Sequence, residues 1–98
     1  MNKYEFAWDE NKHKANIRKH GISFQEASSV FDDPNILYLF DEEHSDDEDR
    51  FVVLGISSQT KLLAVFHCYR ENDTVIRIIS ARKANKFEHD DYYGGELR

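Results

Sequence analysis

A chain of 98 residues has room for one compact domain and no more. Its single cysteine rules out an intrachain disulfide, and with it a stapled secreted scaffold; one proline and no repetitive tract exclude a disordered or linker-like chain. The net charge of −6 argues against unselective nucleic-acid binding, which rests on phosphate neutralisation, but leaves room for a local basic site.

The acids are concentrated between residues 25 and 60, where Arg50 is the one basic side chain; the flanking segments are slightly basic. No apolar run approaches the ~20 residues of a spanning helix. The first ten residues carry acids in place of an apolar signal stretch. The expectation is one soluble, cytoplasmic domain over residues 1–98.

In chain order, Tyr4, Phe6 and Trp8 alternate with other residues as in a short strand. Asp9 is placed to cap a helix over 9–20, and Gly21 to end it, with Lys19 and His20 in the last turn where cations suit the helix dipole. Ser23 and Glu26 have capping-box spacing and open a second helix to Phe31, whose apolar stripe is Phe24, Ala27, Val30 and Phe31. Asp32-Asp33-Pro34 closes it. Strands are predicted over 36–40, 50–56, 62–70 and 75–81, with Gly55 read as the mark of a bulge. An acidic loop, 41–49, separates the first two, and Glu71-Asn72-Asp73 turns between the last two. A closing helix spans 83–93. Short loops between successive strands imply an α+β fold: a small antiparallel meander with two N-terminal helices and one C-terminal helix, the helices on one face.

Several residues admit two readings. Arg77 and Arg82 interrupt a β-branched strand; each is either half of a structural ion pair or a phosphate clamp. Strict alternation sends them to opposite faces, so both serve one site only if the strand ends before Arg82. His67, mid-strand on the face of Leu63, Val65 and Tyr69, is either a satisfied semi-buried residue or a proton carrier. Lys19-His20-Gly21 is a dipole-matched helix end or part of a site. The run DEEHSDDED lacks the spacing of a calcium loop and reads as a solvated acidic loop. Cys68 reads as a small buried hydrophobe. No phosphate-binding loop, nucleophile elbow, zinc-peptidase or dinucleotide motif occurs, so neither metal nor cofactor is implied.

Three groups of residues recur together: Phe6-Ala7-Trp8-Asp9 with Lys12, Asn16, Lys19-His20-Gly21-Ile22, Phe24 and Glu26-Ala27; His44-Ser45 with Glu48, Arg50 and Phe51; and Arg77 to Arg82 as RIISAR with Ala84, Glu88 and Tyr92. In this combination and order the chain resembles the BrnT family of type II toxins, departing from it in the acidity near 41–49 and 89–91.

The resemblance implies a RelE-like fold and an endoribonuclease that cleaves RNA to arrest translation and growth. It also implies a cognate BrnA-like antitoxin, in a heterotetramer of two toxins and two antitoxins, which alone contacts operator DNA. Metal-independent cleavage by the RNA 2′-hydroxyl needs a proton carrier and fixed positive charge at the phosphorane. The candidates are Lys19, His20, Arg50, His67, Arg77 and Arg82, with Glu48 and Tyr92 toward the substrate. Tyr92 has packing of the last helix as its rival role. The alternative function is a catalytically silent module that binds the antitoxin and tunes repression.

Overall fold

The computed structural model describes residues 4–40 and 49–94. Local chemistry explains the first helix, α1 (Glu10–His20). Asp9 stands in extended conformation and accepts the Lys12 N–H at 3.0 Å, while Gly21, at φ 71°, returns its N–H to the Ile17 carbonyl at 2.8 Å. The second helix, α2 (Phe24–Ser28), is shorter than its stripe predicts and tightens into a 3-10 turn over Ser29–Asp32. Only half of its capping box forms. Ser23 Oγ accepts the Glu26 N–H, but the Glu26 carboxylate turns away to take a hydrogen bond from Ser57 Oγ at 2.7 Å.

The strands are β1 (Glu5–Ala7), β2 (Leu37–Phe40), β3 (Phe51–Ile56), β4 (Leu62–Arg70) and β5 (Val75–Lys83). Their spatial order is β1-β5-β4-β3-β2. From β2 to β5 the expected meander is present, with every neighbouring pair antiparallel. The expectation of a wholly antiparallel sheet fails at β1, which runs parallel to β5 with Glu5 opposite Val75 and Ala7 opposite Arg77. No hairpin joins these two strands. The chain leaves β1 through α1 and α2 and reaches β5 only after the rest of the sheet, so no tight turn imposes antiparallel pairing. The sheet is therefore mixed.

The helices also divide between both faces of the sheet. One core joins Ile22, Phe24, Ala27 and Val30 to Val53, Leu63, Val65, Ile76, Ile78 and Ala81. The other joins Val52, Leu54, Leu62 and Ala64 to Tyr92 on α3 (Lys86–Gly94). Alternation along β3 and β4 explains the division: odd-numbered residues face α1 and α2, even-numbered residues face α3.

The bulge lies in β5 and not at Gly55. Phe66 pairs with Ser80 but His67 with Ile78, leaving Ile79 without an opposite number. Gly55 pairs regularly with Leu63; its lack of a side chain allows the close approach of Val30, whose Cβ would lie 3.0 Å from a Cβ placed there. Beyond the bulge, buried Asn16 of α1 ties the helix to the strand. Its side-chain amide donates to the carbonyls of Ile22 and Ala81, each at 2.9 Å, and its oxygen accepts the Ala81 N–H at 3.1 Å. Among the described residues no helix is long and apolar enough to cross a membrane.

Candidate functional site

The β5 bulge decides which cations share a face. Cys68 pairs with Arg77, Phe66 with Ser80 and Ala64 with Arg82, so Arg77, Ser80 and Arg82 share the face of Cys68 and Phe66. Arg50, one residue before β3, reaches the same place. The guanidinium carbons of Arg50 and Arg82 lie 5.8 and 5.3 Å from the centre of the Phe66 ring, a cation–π geometry. Arg70 closes the group by donating to Cys68 Sγ at 3.4 Å. Burial pushes the Cys68 thiol up, and the positive charges of Arg77, Arg50 and Lys12 partly offset it. The thiol thus lies within the field of this cluster, packed and protonated, as its reading as a small hydrophobe requires.

The arginines are not equivalent. Arg82 is held in a two-pronged pair by Glu88, at 2.6 and 2.9 Å. Burial raises the Glu88 carboxyl, but hydrogen bonds from Arg82 and the Asn85 N–H outweigh it and hold the group below its usual range. Glu88 and Asn85 also form a reciprocal capping box at the start of α3, so Arg82 is fixed by the helix end. Arg77 has no ion-pair partner among the described residues.

Lys19 and His20 join this region from the side. With Lys12, Ala15 and Asn16 they line a groove of about 250 Å³ against Ile79 and Ser80, the bulge residue and its neighbour. Lys12, Asn16, Lys19 and His20 recur at helical spacing, so one stripe of α1 is polar where a core helix would be apolar. Of that stripe the sequence offered Lys19 and His20 as site candidates; Lys12, Ser80 and Glu88 stood there only among the residues of the family resemblance, without a role, and Phe66 was not singled out.

The sheet separates His67 from this cluster, whereas Tyr92 sits on the cluster's own face but is engaged in packing. His67 is fully buried on the opposite face, among Phe31, Phe51 and Tyr69. It donates Nδ1–H to the Val65 carbonyl at 3.2 Å, and its Nε2 is buried without a partner. Burial lowers its pKa to about 4 despite that carbonyl. Tyr92 is 7% exposed, packs on Leu54 and Ala64, and donates its hydroxyl to Asp33 Oδ2 at 2.5 Å. It therefore occupies the packing position. Glu48 and most of the acidic run lie outside the described residues.

The model of the BrnT ribonuclease toxin of type II toxin–antitoxin systems matches residues 8–88. The chain belongs to the BrnT family. Membership makes it a ribonuclease toxin of a type II system and implies an antitoxin partner. The crystal structure of the Brucella abortus ribonuclease toxin BrnT, at 1.1 Å resolution, is similar with a TM-score of 0.64 and 22% identity, covering 85% of this chain and 99% of that one. At this identity the likeness bears on the fold: the mixed sheet and its helices are a BrnT-like arrangement. No curated protein sequence matches the chain. The match includes α1, the bulge, Arg50, Arg77, Arg82 and Glu88, so the cationic face falls within the family-matched region.

Proposed function

We propose that the chain is a metal-independent endoribonuclease whose substrate lies across the arginine face. One observation carries this reading: in an acidic protein, a β-bulge puts Arg77 and Arg82 on one face of the sheet, the face on which Arg50 and Arg82 flank Phe66. A face carrying several guanidiniums suits a phosphodiester that gains charge in the transition state. Arg77 contacts the scissile phosphate, Arg50 supports it, and Glu88 holds Arg82 in a fixed plane beside it. The RNA 2′-oxygen forms the new bond to phosphorus and the bond to the 5′-oxygen breaks. The 2′-hydroxyl proton passes to His20, water protonates the leaving 5′-oxygen, and the hydroxide so formed takes the proton back from His20. Lys19 and Lys12 hold the neighbouring phosphate in the groove beside the bulge. His67 has no part in this scheme, because the sheet stands between it and the arginines.

We infer the setting of the chain as well. The fold is RelE-like, the protein acts in the cytoplasm, and a BrnA-like antitoxin silences it in a complex of two toxins and two antitoxins. Operator DNA is reached through that antitoxin. The second reading, a silent module that binds antitoxin and tunes repression, draws support from Arg82: its guanidinium is already engaged by Glu88 through two hydrogen bonds.

The deciding experiment incubates purified chain with single-stranded RNA in EDTA. Cleavage to products with 2′,3′-cyclic phosphate ends, lost in Arg77→Ala, is the expected result. RNA left intact by soluble, folded chain both in EDTA and in a parallel incubation with Mg²⁺ would select the silent module, and cleavage with Mg²⁺ but not in EDTA would select a metal-dependent nuclease.

A further inference from the structure

Where β1, β3 and β4 come level, Tyr4, Phe51 and Tyr69 wall a cavity of about 570 Å³ whose remaining described lining is Asp49 and Asp73. The rings are inclined around it: Tyr4 and Tyr69 have centroids 6.2 Å apart at 52°, Phe51 and Tyr69 5.4 Å apart at 70°. Asp73 is delivered by a turn in which Glu71, Asn72 and Asp73 all have positive φ. Phe51 and Tyr69 are odd-numbered, so the cavity opens on the face opposite Arg50 and Arg77.

The lining discriminates among ligands. Two carboxylates and no lysine or arginine among the described lining residues repel a phosphate, so RNA fits poorly. A neutral apolar group would desolvate both carboxylates without pairing them. The tyrosine side of the cavity disfavours negative charge as well. Burial, with Tyr38, Tyr4 and Asp73 nearby, pushes the Tyr69 hydroxyl up to about 12. A planar guanidinium satisfies both halves, stacking on ring faces while donating to a carboxylate.

We propose that this cavity receives an arginine side chain of the antitoxin, anchoring the partner on the face away from the phosphate-binding arginines. The inference rests on the family's implied antitoxin and not on the cleavage scheme. Grip and activity should therefore separate.

The test uses an Asp49→Asn/Asp73→Asn variant. Both positions are exposed, and asparagine tolerates the left-handed backbone at position 73, where φ is 66°. The labelled chain is titrated with Nα-acetyl-arginine methylamide, and with the uncharged citrulline analogue as control. Saturable amide shifts confined to the five lining residues are expected, weaker by about tenfold or more for citrulline and for the variant. In the intact toxin–antitoxin pair, the same variant should weaken the complex by about tenfold or more, while RNA cleavage by the free variant stays within about twofold. Equal binding of citrulline, the same shifts with guanosine monophosphate, or unchanged antitoxin affinity in the variant would each overturn the proposal. Loss of cleavage with antitoxin affinity intact would overturn it too, placing the cavity on the substrate side. Wild-type chain that never cleaves RNA would sink the cleavage scheme and leave this one standing.

Discussion

Arg77 and Arg82 project from the same face of β5, although five positions separate them. In a regular strand an odd spacing puts two side chains on opposite faces. Ile79 is the extra residue that changes the parity, and the same shift turns Ala81 toward the core formed with α2 and brings it to Asn16. One local irregularity thus assembles the cationic face and docks α1. Bulges often re-aim side chains near functional sites, and here the re-aimed residue is Arg82.

Arg77 is the most direct test of the face. Half-buried and unpaired among the described residues, it has a small structural role. Arg77→Ala should lower the cleavage rate by about 10²-fold or more, the usual cost of removing a donor at developing charge. The melting temperature should stay within about 4 °C, as expected of a substitution within ~0.5 kcal/mol in a domain of this size. RNA digestion and a thermal melt on the same preparation suffice. A melt lowered by much more, with residual activity tracking the folded fraction, would make Arg77 structural.

His67 should behave as a stability element with a defined pH signature. Burial lowers its pKa from 6.5 to about 4 in the folded chain. Between those values the unfolded chain binds a proton that the folded chain refuses, so the stability present above pH 6.5 is lost as pH falls toward 4, by on the order of 3 kcal/mol at most. Asp33 and Glu88, both held below their ordinary values, lose their contributions at lower pH still. Urea unfolding at pH 7 and pH 4.5 should show this loss in the native chain and a much flatter response in His67→Leu. That variant, once folded, should cleave RNA within about threefold of the native rate, whereas His20→Ala should lose about 10²-fold or more. The opposite ranking would return the proton to His67.

What the sequence revealed was what depends on a few consecutive residues. Asp9 and Gly21 cap α1 as expected because caps are satisfied within one turn. The two readings of Arg77 and Arg82 were legible, but their sharing of one face was not. A bulge in a run of isoleucines leaves no residue-level mark, since β-branched side chains suit either face. Gly55 misled for a related reason: its need is close approach of Val30, a contact across 25 positions. The pairing of β1 with β5 and the bond from Tyr92 to Asp33 are likewise contacts between distant segments. Glu26 had the spacing of a capping box but found better partners in Ser57 and Lys61, whose ammonium lies 3.8 Å away.

Asn16 should be among the costliest polar residues to remove. Asn16→Leu keeps the volume but strips partners from the Ile22 and Ala81 carbonyls and the Ala81 N–H, all at a buried helix–strand contact. Unsatisfied buried groups cost about 1–3 kcal/mol each. With partial relaxation the loss should reach roughly 2–4 kcal/mol, a fall of about 10 °C or more in melting temperature. Amide exchange should quicken first at Ala81. A melt lowered by less than about 3 °C would mean that α1 is held mainly by other contacts.

Gly55 tests how tightly the 3-10 turn is clamped to the sheet. A methyl group there would lie 3.0 Å from Val30 Cβ, 3.1 Å from the Val30 carbonyl oxygen and 3.6 Å from Asp33 Oδ2. Two of these contacts are to backbone or backbone-proximal atoms, so no side-chain rotation relieves them; the turn itself must move. Asp33 resists that movement. Its carboxylate accepts the Ile56 N–H at 2.7 Å and the Tyr92 hydroxyl at 2.5 Å, joining the turn to β3 and α3 at once. Gly55→Ala should therefore destabilise by about 1–3 kcal/mol, read as a lower urea midpoint at unchanged slope. Asp33→Asn loosens the same clamp, so the double substitution should cost less than the two single effects added. Strict additivity would show that the turn moves independently of Asp33, and a Gly55→Ala effect below ~0.5 kcal/mol that it yields freely.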